Sequence, residues 1–95
     1  MTDQALHLKQ TTDTQTVVGL VCEHLRRTLP AASSQALGAD TPLLEGGLLD
    51  SLGILQLTLF LGEHFGVEIE DTDFVPEHFA TIRDVAALIL RKTNA

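Results

Sequence analysis

The chain has 95 residues, of which 44% are hydrophobic and 20% are charged; this is ordinary for one folded globular domain and excludes a multidomain enzyme. The net charge is −7, and residues 28–82 contain nine acids but no lysine or arginine. Because such a stretch repels a phosphate backbone and attracts basic proteins, we expect protein partners and no nucleic acid.

Residues 1–13 are polar, rich in threonine and glutamine, and without a sustained hydrophobic period. We expect them to form a flexible N-terminal arm, followed by one folded domain over residues 14–95. The arm lacks the apolar run of a signal peptide, and no stretch reaches the ~18 apolar residues that a membrane span needs. The single cysteine, Cys22, has no partner for an internal disulfide. These features predict a cytoplasmic protein without a membrane span.

A first helix is predicted to begin after Asp13, because aspartate is a favourable N-cap residue. Its apolar residues recur with a period close to 3.6 residues. Arg26 and Arg27 near its end suit the negative end of the helix dipole, and Pro30 closes the helix. The apolar positions are Val17, Val18, Val21, Leu25 and Leu29.

Residues 30–49 form a long connection with two prolines and three glycines, so regular structure there should be limited to a turn or two. A connection of this length in a small domain is usually functional, or is held down by its own apolar residues. The residues available to hold it are Leu37, Leu43, Leu44 and Leu48.

A second helix is predicted over residues 51–65, with Asp50 as its N-cap and Gly66 as its stop. A helical wheel divides its apolar residues into two stripes that lie on largely different sides. The first stripe is Ile54, Leu57, Leu61 and Phe65; the second stripe is Leu52, Leu55 and Leu59. Because so small a bundle can hardly surround one helix, the second stripe either packs under the 30–49 connection or stays partly exposed and docks a partner.

A short third segment is predicted over residues 71–75 and ended by Pro76, with a two-stranded ribbon around residues 68–69 as the alternative. The last helix should begin at Thr81, which forms a capping-box pattern with Asp84 three residues later. We therefore expect an all-α fold, a bundle of three main helices plus one short helix.

The residues around the start of the second helix carry a resemblance to a known family. Asp50-Ser51-Leu52 follows Gly-Gly-Leu-Leu and precedes Gly-Ile-Leu-Gln-Leu, and Phe65-Gly66-Val67-Glu68-Ile69 comes later. Together with the helix order, this pattern resembles the acyl carrier protein family, the phosphopantetheine-binding carrier domains. The resemblance implies a small acyl-carrier-like bundle that is not itself an enzyme.

The resemblance also implies a covalent cofactor on Ser51. In that family a separate phosphopantetheinyl transferase attaches 4′-phosphopantetheine from coenzyme A to this serine, and the arm then holds an acyl or aminoacyl group as a thioester. Asp50 occupies the position of the aspartate that helps orient the transferase and its magnesium. From the residues alone, a helix N-terminus favours a phosphodiester anion, whereas the alternative is that Asp50 and Ser51 are only a helix cap.

The second helix departs from the acid-rich helix of fatty-acid carriers, because Glu63 is its only acid and Gln56 occupies the place of a partner-binding acid. We therefore expect a monomeric, stand-alone carrier that is loaded by an acyl- or aminoacyl-adenylating ligase and serves downstream acyl-using enzymes. The alternative is an unmodified helical adaptor of the same fold. Scattered histidines and a lone cysteine predict no metal site. The expected partner-binding residues are Leu52, Leu55, Gln56 and Leu59.

Overall fold

The structure is a computed structural model that describes residues 13–29 and 36–93. Three α-helices are joined by a long loop and by two 3-10 turns. In chain order these are α1 (Thr14–Thr28), α2 (Ser51–Phe65), the turns Asp71–Asp73 and Pro76–His78, and α3 (Ile82–Thr93). The described residues form no strand, so the fold is all-α as predicted and the ribbon alternative is not observed. None of the described helices combines the length and hydropathy that crossing a membrane requires.

Aspartate side chains cap the first two helices. The N–H of Thr16 donates to Asp13 Oδ1 at 2.9 Å, and the N–H of Gly53 donates to Asp50 Oδ1 at 2.8 Å. Each bond satisfies an amide that has no partner within its helix, and the bond from Thr16 lowers the pKa of Asp13. Gly66, at φ 67°, ends α2 in the left-handed conformation that favours glycine. The predicted bounds of α2 are confirmed.

The N-terminal part of the chain is described only from Asp13 onward. Asp13, the last residue assigned to the arm, is the N-cap of α1, as predicted. The other arm residues and Pro30 lie outside the described residues. The flexible arm and the domain bounds therefore stay predictions.

The start of α3 is fixed by its own cap and by the long loop. The N–H of Thr81 donates to Asp84 Oδ2 and the N–H of Asp84 donates to Thr81 Oγ1, both at 3.2 Å. This reciprocal pair is the predicted capping box, with aspartate in place of the usual glutamate. The N–H of Ile82 donates to the Thr41 carbonyl at 3.2 Å. This bond joins the long loop to the first residue of α3.

The segment between α2 and α3 differs from the single short helix that the sequence predicts. It forms two separate 3-10 turns, and Pro76 begins the second turn instead of only ending the first. Proline suits a first helical position because its fixed φ fits and its missing N–H would have had no partner there. Phe74 and Val75 lie between the turns.

The core takes one face from each helix, two residues from the long loop, and Phe79 from the segment before α3. Leu43 is fully buried, and Leu49, which the sequence analysis did not single out, is 5% exposed. Leu37, Leu44 and Leu48 pack against the core with partial burial, as expected of residues that hold the loop. The fully buried helical side chains are Val17, Val21, Leu25, Leu57, Leu61, Ile82, Val85, Ala86 and Ile89.

Two titratable side chains of α1 lie in or against this core. Burial raises the pKa of the Cys22 thiol, which keeps the group protonated and unreactive. The buried ring of His24 stacks on Phe60 of α2 with 4.7 Å between centroids, and burial and the nearby Arg27 lower the pKa of His24. A neutral imidazole thus forms part of the contact between α1 and α2.

Two sets of leucine substitutions test which face of α2 belongs to the core. Leu57→Ala and Leu61→Ala should each lower the free energy of unfolding by about 2–5 kcal/mol, because truncating a fully buried side chain leaves a cavity. Leu55→Ala and Leu59→Ala, the same chemical change on the exposed side, should cost less than about 1 kcal/mol. Urea unfolding followed by circular dichroism gives all four values, and equal losses would contradict the assignment.

Candidate functional site

Ser51 is the exposed first residue of α2, directly after a firmly held loop. Leu49 is buried, and its N–H donates to the Leu43 carbonyl at 2.9 Å. Asp50 then turns outward and caps the helix. The serine hydroxyl is thereby presented at the surface beside the positive end of the α2 dipole, where an attached anion is favoured.

Glycines shape the path of the loop into α2. Gly46 and Gly47 have φ values of 89° and 76°, which a residue with a side chain adopts only with strain. The N–H of Gly47 donates to the Leu44 carbonyl at 3.0 Å and closes the turn. Within the helix, a Cβ on Gly53 would lie 2.9 Å from Leu49 Cδ2. Glycine at this position therefore allows the buried leucine to pack under the first turn of α2.

The second stripe of α2 lies on the surface. Leu52 and Leu59 are each 60% exposed and Leu55 is 46% exposed, and Gln56 beside them is exposed as well. The alternative that the stripe packs under the 30–49 connection is therefore wrong for residues 36–49, the part of that connection that the structure describes. Three large apolar side chains in one row on a small domain are typical of a docking surface. That these four residues bind partners stays a prediction.

A cleft of about 240 Å³ opens beside Ser51, between α2 and the two 3-10 turns. The rings of Phe74 and Phe79 stack with 5.9 Å between centroids and form part of the far wall. The sequence analysis did not predict this wall. The two phenylalanines on either side of Pro76, in an otherwise acidic segment, could have indicated it. The lining residues are Leu44, Ser51, Ile54, Phe74, Val75, Pro76 and Phe79.

A larger open depression of about 720 Å³ lies along α1. It contains none of the predicted site residues, so the smaller cleft is the one that belongs to the site. The described residues contain no group of three or more histidine, cysteine, aspartate or glutamate side chains placed to hold a metal ion. The site instead offers one hydroxyl group, on Ser51, with apolar space next to it.

The acids beside the site are mostly in contact with solvent. Glu68, Glu70 and Asp71 are exposed. Asp73 is different, because Lys92 Nζ lies 2.7 Å from its Oδ2. That contact, together with a hydrogen bond from the N–H of Glu70, lowers the pKa of Asp73. The exposed acids give this side of the molecule a negative potential that a basic surface would meet favourably.

Comparison with known proteins covers both the helices and the site. The model of the phosphopantetheine attachment site family matches residues 15–89, from the first turn of α1 into α3. The probable acyl carrier protein PigG of Serratia sp. is 31% identical over 68 residues, which is 72% of this chain and 78% of that protein. Most of each chain is therefore included in that alignment.

Two further matches lie in a synthetase-like enzyme and in the crystal structure of a dehydrogenase. The nonribosomal peptide synthetase-like enzyme fsqF of Aspergillus fumigatus is 44% identical over 50 residues, which is 53% of this chain but 3% of that enzyme. A chain in the crystal structure of an FAD-dependent dehydrogenase has a TM-score of 0.65 and 35% sequence identity. This match covers 73% of the present chain and 97% of the other.

Proposed function

This chain belongs to the phosphopantetheine attachment site family, and from that membership we propose that it is a carrier whose arm is attached to Ser51. Family members carry covalently bound 4′-phosphopantetheine and are not themselves catalysts. The observation that carries the choice of residue is the place of Ser51, exposed at the N-terminus of α2 beside a cap and a cleft.

The proposed attachment joins Ser51 to the 4′-phosphopantetheine of coenzyme A. The serine Oγ bonds to phosphorus, adenosine bisphosphate leaves with the electron pair of the broken P–O bond, and the serine proton passes to a base of the transferase. The N–H of Gly53 donates to Asp50 Oδ1, and the Asp50 carboxylate would help to orient the magnesium of the transferase. The new phosphodiester anion would lie at the positive end of α2.

Attachment is tested by mass spectrometry after incubation with coenzyme A and a promiscuous transferase. The wild-type protein should gain one phosphopantetheine, on the peptide that contains Ser51, and Ser51→Ala should gain none. Because Asp50 is the cap, Ser51→Ala should change the free energy of unfolding by less than about 1 kcal/mol. Thr72→Ala, which removes another exposed hydroxyl, is the control and should be modified normally. Modification of Ser51→Ala would refute the site, and an unmodified wild-type chain would favour the adaptor.

We further propose that the second stripe and Gln56 bind an adenylating ligase. That enzyme would activate a small carboxylic or amino acid with ATP, and the arm thiolate would then attack the acyl carbon while AMP leaves. The similarity to a peptide synthetase-like enzyme supports this class. A fatty-acid enzyme that pairs basic groups with an acidic helix would leave those groups desolvated against Leu55 and Gln56.

The loading step distinguishes these two enzyme classes. We expect a dedicated ligase to load the phosphopantetheinylated protein with a kcat/KM more than about tenfold above that of a malonyl-loading enzyme, which corresponds to about 1.4 kcal/mol of transition-state binding. Leu55→Ala and Leu59→Ala should lower ligase kcat/KM without changing attachment of the arm. Malonyl loading as efficient as that of a housekeeping carrier would contradict the proposal.

The match to a chain in the structure of an FAD-dependent dehydrogenase supports a flavin enzyme among the downstream partners. A thioester makes the adjacent C–H acidic, so a base can remove the α-proton while a hydride leaves the β-carbon for the flavin. The products are an α,β-unsaturated thioester and reduced flavin, which balances the two electrons. The carrier would position the cargo and take no part in the chemistry.

This partner is tested with a flavin-dependent dehydrogenase of acyl thioesters and an acyl group that this enzyme oxidises. Loaded carrier should bleach the flavin faster than the same acyl group on free pantetheine, and the acyl group should lose two hydrogens. Ser51→Ala protein mixed with acyl-pantetheine is the control and should give only the slow rate. Equal rates for loaded carrier and free acyl-pantetheine would exclude this partner class.

A further inference from the structure

The cleft wall opposite α2 is fastened to the last turn of α3. Lys92 Nζ lies 2.7 Å from Asp73 Oδ2, and the two side chains are only 20% and 16% exposed. Arg91 Nη2 lies 3.2 Å from His78 Nε2. Two consecutive residues of α3 thus hold Asp73 and His78, which flank the wall segment 74–76 on either side.

His78 also connects the two ends of the wall segment. Its Nδ1 lies 2.8 Å from the carbonyl oxygen of Asp73. Because a carbonyl oxygen only accepts, His78 Nδ1 is the donor in this contact. The Asp73 carboxylate additionally accepts the N–H of Glu70 at 2.8 Å. Four side chains, those of Asp73, His78, Arg91 and Lys92, therefore form one connected network.

The wall is held less firmly on the side that faces α2 than on the side that faces α3. In the described part of the chain, no backbone hydrogen bond joins α2 to residues 70–79. Ile54 of α2 faces Phe74 and Phe79 across the cleft through apolar surface alone. Phe79 is packed in the core. Since apolar contacts are not directional, the position of the wall segment 74–76 depends on how it is held from α3.

We propose that Asp73, His78, Arg91 and Lys92 are positioning residues that set the width of the cleft beside Ser51. In that position the wall holds a small apolar acyl group on the arm between Ile54 and the stacked phenylalanine rings, and withholds the thioester from solvent. This inference rests on attachment of the arm to Ser51. Loss of the network releases the wall and exposes the cargo, although none of the four residues touches Ser51.

The test measures how fast hydroxylamine cleaves a hexanoyl thioester on the arm, with free hexanoyl-pantetheine as the reference. A thioester that is outside the cleft a tenth of the time is cleaved about tenfold more slowly than the free compound, and we expect protection of this order in the wild type. Lys92→Met should bring the rate to within about twofold of the reference, since the enclosed population is then lost. Lys92→Arg keeps the charge and should restore protection.

Arg83→Met is the matched control, because Arg83 is the other cation of α3 that pairs with an aspartate, Asp40, and neither residue lines the cleft. It should retain full protection. The Asp73→Asn/Lys92→Met double variant should be no less protected than Lys92→Met, because the two residues act as one unit. Thermal unfolding of each variant confirms that it is folded before cleavage is compared.

Three results would overturn the inference: an unprotected wild type, a Lys92→Met protein as protected as the wild type, or equal loss of protection in Arg83→Met. These outcomes are separable from failure of the proposed function. If no arm is attached to Ser51, the proposed function fails at the transferase step. If every variant is loaded normally and protection does not follow Lys92, only the positioning network is refuted.

Discussion

The backbone of Leu43 joins the three parts of the molecule on which the site depends. Its carbonyl accepts the N–H of Leu49 at 2.9 Å, and its own N–H donates to the Ala80 carbonyl at the same distance. The side chain is fully buried in the core, where unpaired amide groups would be costly. One residue of an irregular loop thus fixes both the approach to α2 and the start of α3.

The helix bounds could be predicted because local chemistry determines them. Asp50, Gly66 and the pair of Thr81 with Asp84 act on backbone groups no more than three or four residues away. The sequence also revealed the second stripe, since a small bundle rarely buries two apolar faces of one helix. It left open whether that stripe is exposed or covered. The cleft wall was not predictable in this way, because the contacts that place it join residues 73 and 78 to residues 91 and 92.

Charge and apolar surface are divided between neighbouring parts of the molecule. The acids Glu68, Glu70 and Asp71 lie after α2 and remain solvated, whereas α2 itself presents leucines. Long-range attraction of a basic partner therefore comes from one segment and close contact from another. Asp73 belongs to the acidic segment by sequence, but its carboxylate is engaged by Lys92 and serves the fold instead.

Cys22 has a consequence for how the protein can be studied by labelling chemistry. It is the only cysteine of the chain, it is 6% exposed, and burial raises the pKa of its thiol. In a protein that bears the proposed arm, the terminal thiol of phosphopantetheine would then be the only sulfhydryl that reacts readily with a maleimide. A fluorescent or cross-linking reagent would mark the free arm in an unmutated protein, and a bound acyl group would register directly as loss of the label.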